Sequence, residues 1–537
     1  MSNDPRPTPW AVGWEERPWA AGPDDAGLRS RSARVRASGP YRAALPARIA
    51  RLGLDLPSDL ATEVEEATAA VVRFDAEISH ALPGLTGEIA PIDAVLLRTE
   101  SASSSQIEHI TAGARALALA TLGERTRPNA TLVAANVRAM GAASRLAADL
   151  DEPALLAAHR ALMDGQEHAR PGAYRDAQGW IGGGAPTPHT AQFVPPHPER
   201  LRAGMDDLFA YLRRTDVPAL VQAAIAHAQF ETIHPFADGN GRTGRVLVHA
   251  VLHRAGAITR MGVPLSAGLL TDTAGYFDAL TAYRDGDPAP IVRRFAQAAL
   301  AAVGNGRELV ADLDEALTGW RERLTARRDA AVWRALAVII AQPAVTVDHL
   351  AQVLGVSRPA AQRAVDQLVE AGVLQPVSSQ RRNRVWLATE VLACLDEFAA
   401  RAGRRRQSAD DGPQRLDDRV ASGDDLVLRA TARPRRARAW PPARHARARR
   451  RRGRLLAPGP VHRGDGGRPG RARLRRRGGR GPGERDRDAR RGGAGGPDRP
   501  VGGRAVPAAI RQGAGAAPLG GRALAAAARG GARGAGG

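Results

Sequence analysis

A run of twelve residues, HPFADGNGRTGR from His234 to Arg245, brings a base, an acid, a glycine-rich turn and two arginines close together. The imidazole of His234 can accept a proton near neutral pH. Asp238 offers carboxylate oxygens of the kind that bind Mg²⁺ together with substrate phosphates. Arg242 and Arg245 are three residues apart, so on a helix they share a face and can grip neighbouring phosphates. The run predicts a magnesium-nucleotide site with its own general base.

The turn inside this run allows a close approach of the backbone to a ligand. Gly239 and Gly241 flank Asn240, and a helix that begins here directs its free N–H groups at an anion. Taken singly, such residues are more typical of a turn, a packed histidine or a solvated arginine pair. Their joint spacing is what favours a nucleotide site.

The elements that must position this run are helices. Apolar residues recur at helical spacing from about 40 to 330, and Ser58 is placed to cap a first helix. Further helices are expected at about 102–121, 128–148, 153–164, 199–213, 217–232, 240–255, 273–283 and 287–303. One segment, from Trp180 to Pro196, is rich in glycine and proline and predicts a hairpin or an open loop.

Residues 330–403 have the pattern of a winged helix: two helices, a turn at Gly355, a third helix that Ser357 caps, and two short strands joined by a basic loop. Such domains bind DNA, and they also serve in protein docking and in dimerisation, so both roles stay open here. The side chains placed for DNA contact are Arg358, Gln362, Arg363, Arg381, Arg382 and Arg384.

The charge of the chain is concentrated at its end. The formal charge is +21, but residues 401–537 hold 36 arginines and 11 acids, whereas the first 400 residues hold 41 arginines and 45 acids. Beyond residue 403 the apolar periodicity stops, so this Arg/Gly-rich tail is expected to be disordered. An arginine-rich nucleic-acid-binding arm is one interpretation. The abrupt change in composition favours an out-of-frame reading of a GC-rich coding sequence, and we assign the tail no function.

Composition also excludes several classes of protein. The chain has 537 residues, no lysine, and one cysteine, Cys394, which rules out a disulfide scaffold and a thiolate metal site. No apolar run reaches the roughly 18 residues that span a bilayer, and the N-terminus has no hydrophobic signal core. These features predict a cytoplasmic protein without a membrane partner.

The motif HPFADGNGRTGR resembles the signature of the Fic (Fic/Doc) family, H-x-F-x-[D/E]-G-N-G-R-x-x-R, at every defined position. The likeness extends to PGAYRDAQGWIGG before the motif and to VPLSAGLLTDTAGYFDALTAYRDGD after it. It implies an enzyme that moves AMP from ATP to the hydroxyl of a Ser, Thr or Tyr side chain, with release of pyrophosphate. The target is another protein or the chain itself.

The resemblance also implies roles for single residues. His234 is the general base, Asp238 holds Mg²⁺, and Phe236 fixes the loop in the core. The other positions that it assigns to the nucleotide are Gly239, Asn240, Gly241, Arg242, Arg245, Tyr276 and Phe277. Of these, Tyr276 and Phe277 match a position near the adenine, although an aromatic pair on a helix is more often core. Trp180 to Pro196 corresponds to the flap that pairs with the target.

A second motif, Ser104 to Glu108, resembles the inhibitory motif of the family, [S/T]-x-x-x-E-[G/N], with His109 where Gly or Asn is expected. The resemblance implies that Glu108 reaches Arg245 and prevents productive ATP binding. In some relatives this glutamate also helps water remove AMP from the modified side chain. By itself S-x-x-x-E is a weak pattern, and its position about 125 residues before the Fic motif is what favours the inhibitory role.

These features predict a mainly α protein: a Fic-type helical bundle with a β-hairpin flap, a small winged-helix domain and a disordered tail. The expected divisions are an extended lead-in at 1–38, a helical region with the inhibitory motif at 39–125, a Fic core at 126–305, a linker helix with the winged-helix domain at 306–403, and the tail at 404–537. Two alternatives stay open: a winged-helix DNA-binding regulator whose Fic core senses nucleotide, and a Fic homologue with another nucleotide donor. A homodimer is also left open.

Overall fold

A computed structural model describes residues 8–19, 38–78 and 91–403, apart from 125, 142, 183–186, 260–262 and 378–383. Three isolated residues, 32, 35 and 82, are described as well. The predicted tail, residues 404–537, lies outside the described residues. Among the described residues, no helix is long and apolar enough to cross a membrane.

Helices dominate the described chain, which confirms the predicted mainly α class. In chain order they are α1 Ser58–Ile78, α2 Pro91–Ile107, α3 Ala114–Thr121, α4 Pro128–Gly141, α5 Ala143–Asp149, α6 Glu152–Leu162, α7 Pro198–Leu212, α8 Ala219–Ile233, α9 Asn240–Arg254, α10 Leu265–Leu270, α11 Thr273–Arg284, α12 Ala289–Arg323, α13 Ala331–Ala341, α14 Val347–Leu354, α15 Arg358–Glu370 and α16 Thr389–Gly403.

Helix α8 is the centre of the bundle. Every residue from Leu220 to Ile233 is buried, the polar Gln222, His227, Gln229 and Glu231 included, because other helices surround this one. Helix α9 packs against α8 and is buried over most of its length. The HPFADG loop joins these two helices, so the motif is held between the two most enclosed elements of the fold.

Helix α12 runs unbroken for 35 residues and crosses the expected boundary at 305/306. Helix α16 of the winged region packs against it, and Arg401 Nε donates a hydrogen bond of 2.7 Å to Asn305 Oδ1. All the described residues belong to one compact unit. The winged region is therefore part of the same packed body as the helical bundle.

Two strands precede the first helix. Strands β1 Gly13–Trp19 and β2 Gly39–Leu45 pair antiparallel, from Gly13 opposite Leu45 to Trp19 opposite Gly39. The sequence pattern predicts an extended lead-in at 1–38, followed by helices from about residue 40. Strand β2 lies where the first of these helices is expected, and it is also bonded to the flap segment: the Ala44 N–H donates to the Val194 carbonyl at 2.9 Å. This pairing is a tertiary contact that local propensity does not encode.

The winged region contains a small antiparallel sheet of three strands, β3 Ala344–Val345, β4 Gln375–Pro376 and β5 Trp386–Leu387, with β5 in the centre. Thr346 caps α14 by accepting a hydrogen bond from the His349 N–H. Gly355 ends this helix in the left-handed conformation that glycine adopts easily. The predicted helices and the two predicted strands occur in the expected order, whereas β3 and α16 were not predicted. Ser357 precedes α15, but its side chain makes no capping hydrogen bond.

The predicted helix at 102–121 is two helices. Helix α2 begins earlier, at Pro91, and ends at Ile107, and α3 starts only at Ala114. The break contains Glu108 and His109. The His109 N–H donates to the Gln106 carbonyl and the Ile110 N–H to the Ser105 carbonyl, which is the hydrogen-bond pattern of a Schellman motif. A break that depends on backbone closure is not visible in apolar periodicity.

Candidate active site

His234 ends helix α8. It adopts a left-handed conformation with φ of 50°, and its N–H donates to the Phe230 carbonyl at 2.8 Å. Its Nδ1 lies 3.3 Å from the main-chain oxygen of Glu231 and 3.5 Å from Glu231 Oε2. Both neighbours are hydrogen-bond acceptors, so Nδ1 carries the proton and Nε2 keeps a lone pair. The imidazole is thus oriented to accept a proton at Nε2.

Glu231 is the acid behind this histidine. Burial opposes ionisation of its carboxyl group, but the hydrogen bond and the charge of His234 outweigh burial and lower its pKa to about 2. A buried carboxylate in this position stabilises the imidazolium that forms when His234 takes a proton. Sequence reasoning missed Glu231, although its spacing of three residues before His234 on a helix was a usable signal.

The loop after His234 is closed by Asn240. Asn240 Oδ1 accepts from the Phe236 N–H, and Asn240 Nδ2 donates to the Phe236 carbonyl, both at 2.9 Å. Gly239, with φ of 76°, leads into α9. The side chain of Asn240 therefore holds the loop together, and the first N–H groups of α9 are left for an anion.

His159 supports the same loop from α6. Its ring stacks on Phe236 with centroids 3.7 Å apart, and its Nε2 lies 3.1 Å from the Asp238 carbonyl. Its Nδ1 accepts from the Gly172 N–H at 2.9 Å, so Nε2 carries the proton and donates. Burial lowers the pKa of His159 to about 4, and the ring stays neutral at physiological pH. Sequence reasoning missed this residue, because a lone histidine on an apolar helix face is usually core.

Asp238 is the residue that can hold a metal ion. Its side chain is 46% exposed, Oδ1 accepts from the Gly239 N–H, and Arg242 Nη2 lies 3.8 Å away. Among the described residues no three metal-ligating side chains lie together. A single exposed carboxylate fits Mg²⁺, which takes one or two carboxylates and draws its other ligands from substrate phosphates and water.

Arg242 is buried with unused hydrogen-bonding capacity. Its Nη2 contacts Met163 Sδ at 3.9 Å, while Nε and Nη1 have no partner among the described residues. Burial lowers the pKa of Arg242, but its Coulombic attraction to Asp238 opposes this shift. A guanidinium held in the interior with free N–H groups is suited to a polyanionic ligand.

Arg245 is hydrogen-bonded to the second motif, Ser104 to Glu108. Its Nε donates to Ser104 Oγ, and its Nη2 donates both to the Ser104 carbonyl and to Glu108 Oε1, each at 2.8 Å. Burial would lower the pKa of Arg245, but the Glu108 charge and hydrogen bond outweigh burial and raise it. The structure brings together the residue pair that the sequence predicted, 137 positions apart.

The Glu108 carboxylate also covers the start of α9. A Cβ built on Gly241 would overlap Glu108 Oε1 and would lie 3.1 Å from Arg245 Nη1. The position of Gly241 therefore has no room for a side chain while Glu108 is in place. His109, which replaces the expected Gly or Asn, adopts φ of 58°, a conformation that glycine and asparagine reach more easily.

Tyr276 and Phe277 lie in α11. Tyr276 is buried, and its hydroxyl lies 2.7 Å from His227 Nε2. Phe277 is half-buried, with its ring 5.1 Å from that of Tyr276. Burial raises the pKa of Tyr276. Contact of this pair with the adenine stays a prediction.

The flap segment is described apart from residues 183–186. Ile181 and Phe193 form an antiparallel bridge, and the Arg284 guanidinium lies 4.0 Å from the Phe193 ring centroid. Arg175 lies beneath the flap and is buried. It was missed as a single residue, although it lies in the segment PGAYRDAQGW before the motif.

Residues predicted for DNA contact are partly described. Arg358, Gln362 and Arg363 are exposed on α15, where Arg358 pairs with Asp348 and Gln362 donates to Asp366 at 2.8 Å. Arg384 is also exposed. Arg381 and Arg382 lie outside the described residues.

Comparison with known families agrees with this geometry. Residues 149–252, which include α6 and the loop between α8 and α9, match the model of the Fic/DOC family. The chain contains a Fic domain. Residues 329–384 match the model of the MarR family, which corresponds to the winged-helix region.

Relatives of the Fic domain carry an enzymatic name. The chain is 32% identical over 138 residues to protein adenylyltransferase Fic of Nematostella vectensis, covering 25% of this chain and 29% of that protein. It is 28% identical over 152 residues to protein adenylyltransferase fic-1 of Caenorhabditis elegans, covering 28% and 27%. The match thus spans less than a third of the length of either relative.

The solved structures that are similar include the crystal structure of a Fic family protein from Desulfovibrio desulfuricans G20. It has 25% sequence identity and a TM-score of 0.40, and the alignment covers 62% of this chain and 97% of that one.

Proposed function

We propose that this chain is a protein adenylyltransferase that transfers AMP from ATP to a Ser, Thr or Tyr hydroxyl of a target protein or of itself. The observation that carries the proposal is the placement of His234 at the end of α8, only five loop residues before the N-terminus of α9. The base and the N–H groups that can bind an anion are thereby held by two buried, adjacent helices.

Each residue of the site has its own role in the proposed transfer of AMP. His234 Nε2 takes the proton of the target hydroxyl, whose oxygen bonds to the α-phosphorus while the bond to pyrophosphate breaks. Asp238 would hold Mg²⁺, which neutralises charge on the phosphates. Arg242 and the first N–H groups of α9 bind the phosphate oxygens. Phosphoryl-type transfer depends mostly on positioning and on neutralisation of charge, which these groups supply.

We further propose that the described conformation is inhibited by Glu108. The Glu108 carboxylate forms an ion pair with Arg245, so this guanidinium is not available to the terminal phosphate of ATP. It also brings a negative charge to the start of α9, where the phosphates would lie. Repulsion between like charges in a partly buried site is large enough to prevent productive binding.

The experiment compares the full chain as wild type, Glu108→Gly and His234→Ala, each with Mg²⁺ and ATP labelled on the α-phosphate. Glu124→Gly, which removes an exposed glutamate after α3, is the matched control. We expect strong labelling of protein by Glu108→Gly, little by wild type and Glu124→Gly, and none by His234→Ala. Equal labelling by wild type and Glu108→Gly would refute inhibition. Absence of labelling with ATP, but labelling with UTP, would identify another donor.

Removal of AMP by the same site is tested with labelled protein from the first assay. We propose that wild type, in which Glu108 is present, releases AMP from that protein, and that Glu108→Gly does not. Release at equal rates by both would refute a role for Glu108 in the reverse direction.

A second candidate function rests on the MarR match and on the exposed polar residues of α15. In this alternative, the winged region binds duplex DNA and the Fic domain senses nucleotide. Fluorescence polarisation with duplex DNA at two salt concentrations tests it, with Arg363→Ala as the variant. Salt-dependent binding that this variant weakens, together with full function of His234→Ala, would favour the regulator.

A further inference from the structure

Arg175 joins the loop of the general base to the end of the flap. Its Nε donates to the His234 carbonyl at 2.9 Å, its Nη2 to the Pro196 carbonyl at 2.5 Å, and its Nη1 to the Ala177 carbonyl at 3.0 Å. Its own N–H donates to the Pro235 carbonyl at 2.9 Å. One side chain therefore spans two segments that are separated by almost 40 residues of sequence.

These hydrogen bonds lie in the interior of the protein. Arg175 is only 3% exposed, and burial lowers its pKa to about 10, which leaves it charged at neutral pH. His234 is followed by proline, and Pro196 follows another proline, so neither stretch can complete regular backbone pairing. A planar guanidinium with a fixed fork of donors can satisfy both carbonyls at once.

We propose that Arg175 is a positioning residue that sets the distance between His234 and the flap, and so between the base and the hydroxyl that the flap presents. The proposal rests on the proposed function. The backbone of the base is tethered directly to the backbone of the flap end, so loss of the tether misplaces the hydroxyl relative to Nε2. Misplacement by about 1 Å is sufficient to lower a rate about 100-fold.

The test uses Arg175→Met and Arg175→Lys in the full chain with Glu108→Gly. The matched control is Arg170→Met, which removes an exposed arginine of the same segment that pairs with Asp176. We expect the kcat of AMP transfer to fall at least about tenfold for Arg175→Met. The decrease should be smaller for Arg175→Lys, and the KM for ATP and the amount of ATP bound should be unchanged. A purely structural role would reduce bound ATP and kcat together, and that result would overturn the proposal.

A second readout does not depend on catalysis. Hydrogen exchange without nucleotide should show that Arg175→Met exposes residues 191–197 and 230–236 together, while Arg170→Met changes neither. Exposure of one segment alone, or of none, would overturn the tether. This readout holds even if the Glu108→Gly parent transfers no AMP, which would refute the proposed function instead.

Helix α2, which ends just before Glu108 and is called the inhibitory helix below, contacts both the Fic domain and the winged region. On one side α2 faces the Fic domain, where Glu100 accepts from the Ser266 N–H at 2.8 Å and Ser104 and Glu108 bind Arg245. On the other side it faces the winged region. Arg98 Nη2 donates to Gln342 Oε1 at 2.5 Å, just before β3.

The winged region also holds the segment after Glu108. Gln342 Nε2 donates to the Ala118 carbonyl at 2.7 Å, and Asp396 of α16 accepts from the Ala114 N–H at 3.0 Å. Arg98 is buried, and its Nε and Nη1 have no partner among the described residues. Removal of the Gln342 amide would leave this buried charge without a neighbour to accept its hydrogen bonds, which is costly.

From these contacts we infer that the winged region clamps the inhibitory helix and keeps Glu108 on Arg245. This regulation, too, rests on the proposed function. Arg98 and Glu108 are ten residues apart on or next to one helix, about 15 Å along its axis, so loosening at Arg98 moves Glu108. A ligand of the winged region that breaks the clamp would activate the enzyme.

The clamp is tested with Gln342→Leu and Asp396→Ala in the full chain with Glu108 intact, because alanine removes the acceptor of the Ala114 N–H. Glu397→Ala, which changes an exposed neighbour on α16, is the control. We expect AMP labelling to rise at least about fivefold for the two clamp variants and not for the control. In the Glu108→Gly chain, the same substitutions should cause no further increase in AMP labelling. Labelling at the wild-type level, or an increase that persists in Glu108→Gly, would overturn the clamp.

Hydrogen exchange tests the clamp separately from the proposed enzymatic function. Gln342→Leu should increase exchange across residues 104–114 whether or not the chain transfers AMP. Unchanged exchange in these residues would refute the clamp independently of the enzymatic function.

Discussion

Exchanging His109 for glycine or for valine should change the activity of the chain in opposite directions. His109 has φ of 58° and closes the turn that follows α2, directly after Glu108. Its side chain is exposed, so either exchange acts mainly through the backbone conformation. The stability of this turn determines how often Glu108 leaves Arg245.

The magnitude follows from the conformation. A side chain in the left-handed region costs about 1–2 kcal/mol, and glycine removes this cost. Glycine also gains freedom in the unfolded chain, which offsets about 0.4–1 kcal/mol, so a net gain of about 0.5–1 kcal/mol remains. Valine is β-branched and is strained further, by at least about 1 kcal/mol. One kcal/mol changes the fraction of open turns about fivefold.

The assay is labelling of protein by α-labelled ATP in otherwise wild-type chains. His109→Gly should label about two- to fivefold less than wild type, and His109→Val about fivefold more. In the Glu108→Gly chain neither exchange should alter the rate, because the inhibitory carboxylate is absent. Hydrogen exchange of residues 105–110 should follow the same order as the labelling.

Increased labelling by His109→Gly would refute this reasoning. So would equal labelling by the glycine and valine variants while their hydrogen exchange differs, because the stability of the turn would then not control Glu108.

Three further predictions concern the site and its supports. Gly241→Ala in the Glu108→Gly chain should lower AMP transfer at least about tenfold, measured by labelling, because a methyl group there obstructs the close approach of a ligand to the start of α9. Arg242→Leu should abolish labelling while leaving the melting temperature equal or higher, since it removes a buried charge whose Nε and Nη1 lack partners among the described residues. His159 and His227 each have a pKa lowered to about 4 by burial. The unfolded chain therefore binds more protons between about pH 6.5 and 4. The free energy of unfolding should decrease as the pH is lowered through this window, by about 1.4 kcal/mol per pH unit for each histidine. Urea unfolding at several pH values in this range measures the slope of the free energy of unfolding against pH, which His227→Gln should reduce. An unchanged slope in this variant would contradict the assignment.

Much of the site is local in sequence, and this part was predictable. The base, the acid, the glycine turn and two arginines occur within twelve residues, so their proximity follows from chain connectivity. The closing of the loop by Asn240 on Phe236 is equally local, although the family resemblance assigns Asn240 to the nucleotide. An amide side chain can serve either role, and only the positions of the backbone groups decide between them.

The contact between Glu108 and Arg245 was predictable only through the family resemblance. The spacing within Ser104 to Glu108 is a weak pattern by itself, and it says nothing about Arg245, which is 137 residues from Glu108. The break of the helix at Glu108 was not predicted, because a Schellman closure with histidine in the left-handed position has no strong signature.

The sequence by itself determined the mainly α class, the winged-helix region and the proximity of the polar side chains in the loop from His234 to Arg245, since each depends on residue types at short spacing. Only the tertiary structure decided that Arg175 joins the loop of His234 to the end of the flap and that Gln342 joins the winged region to α2. A buried polar group must find a partner wherever the fold brings one within reach. Such long-range pairings are set by packing, and no local pattern in the chain encodes them.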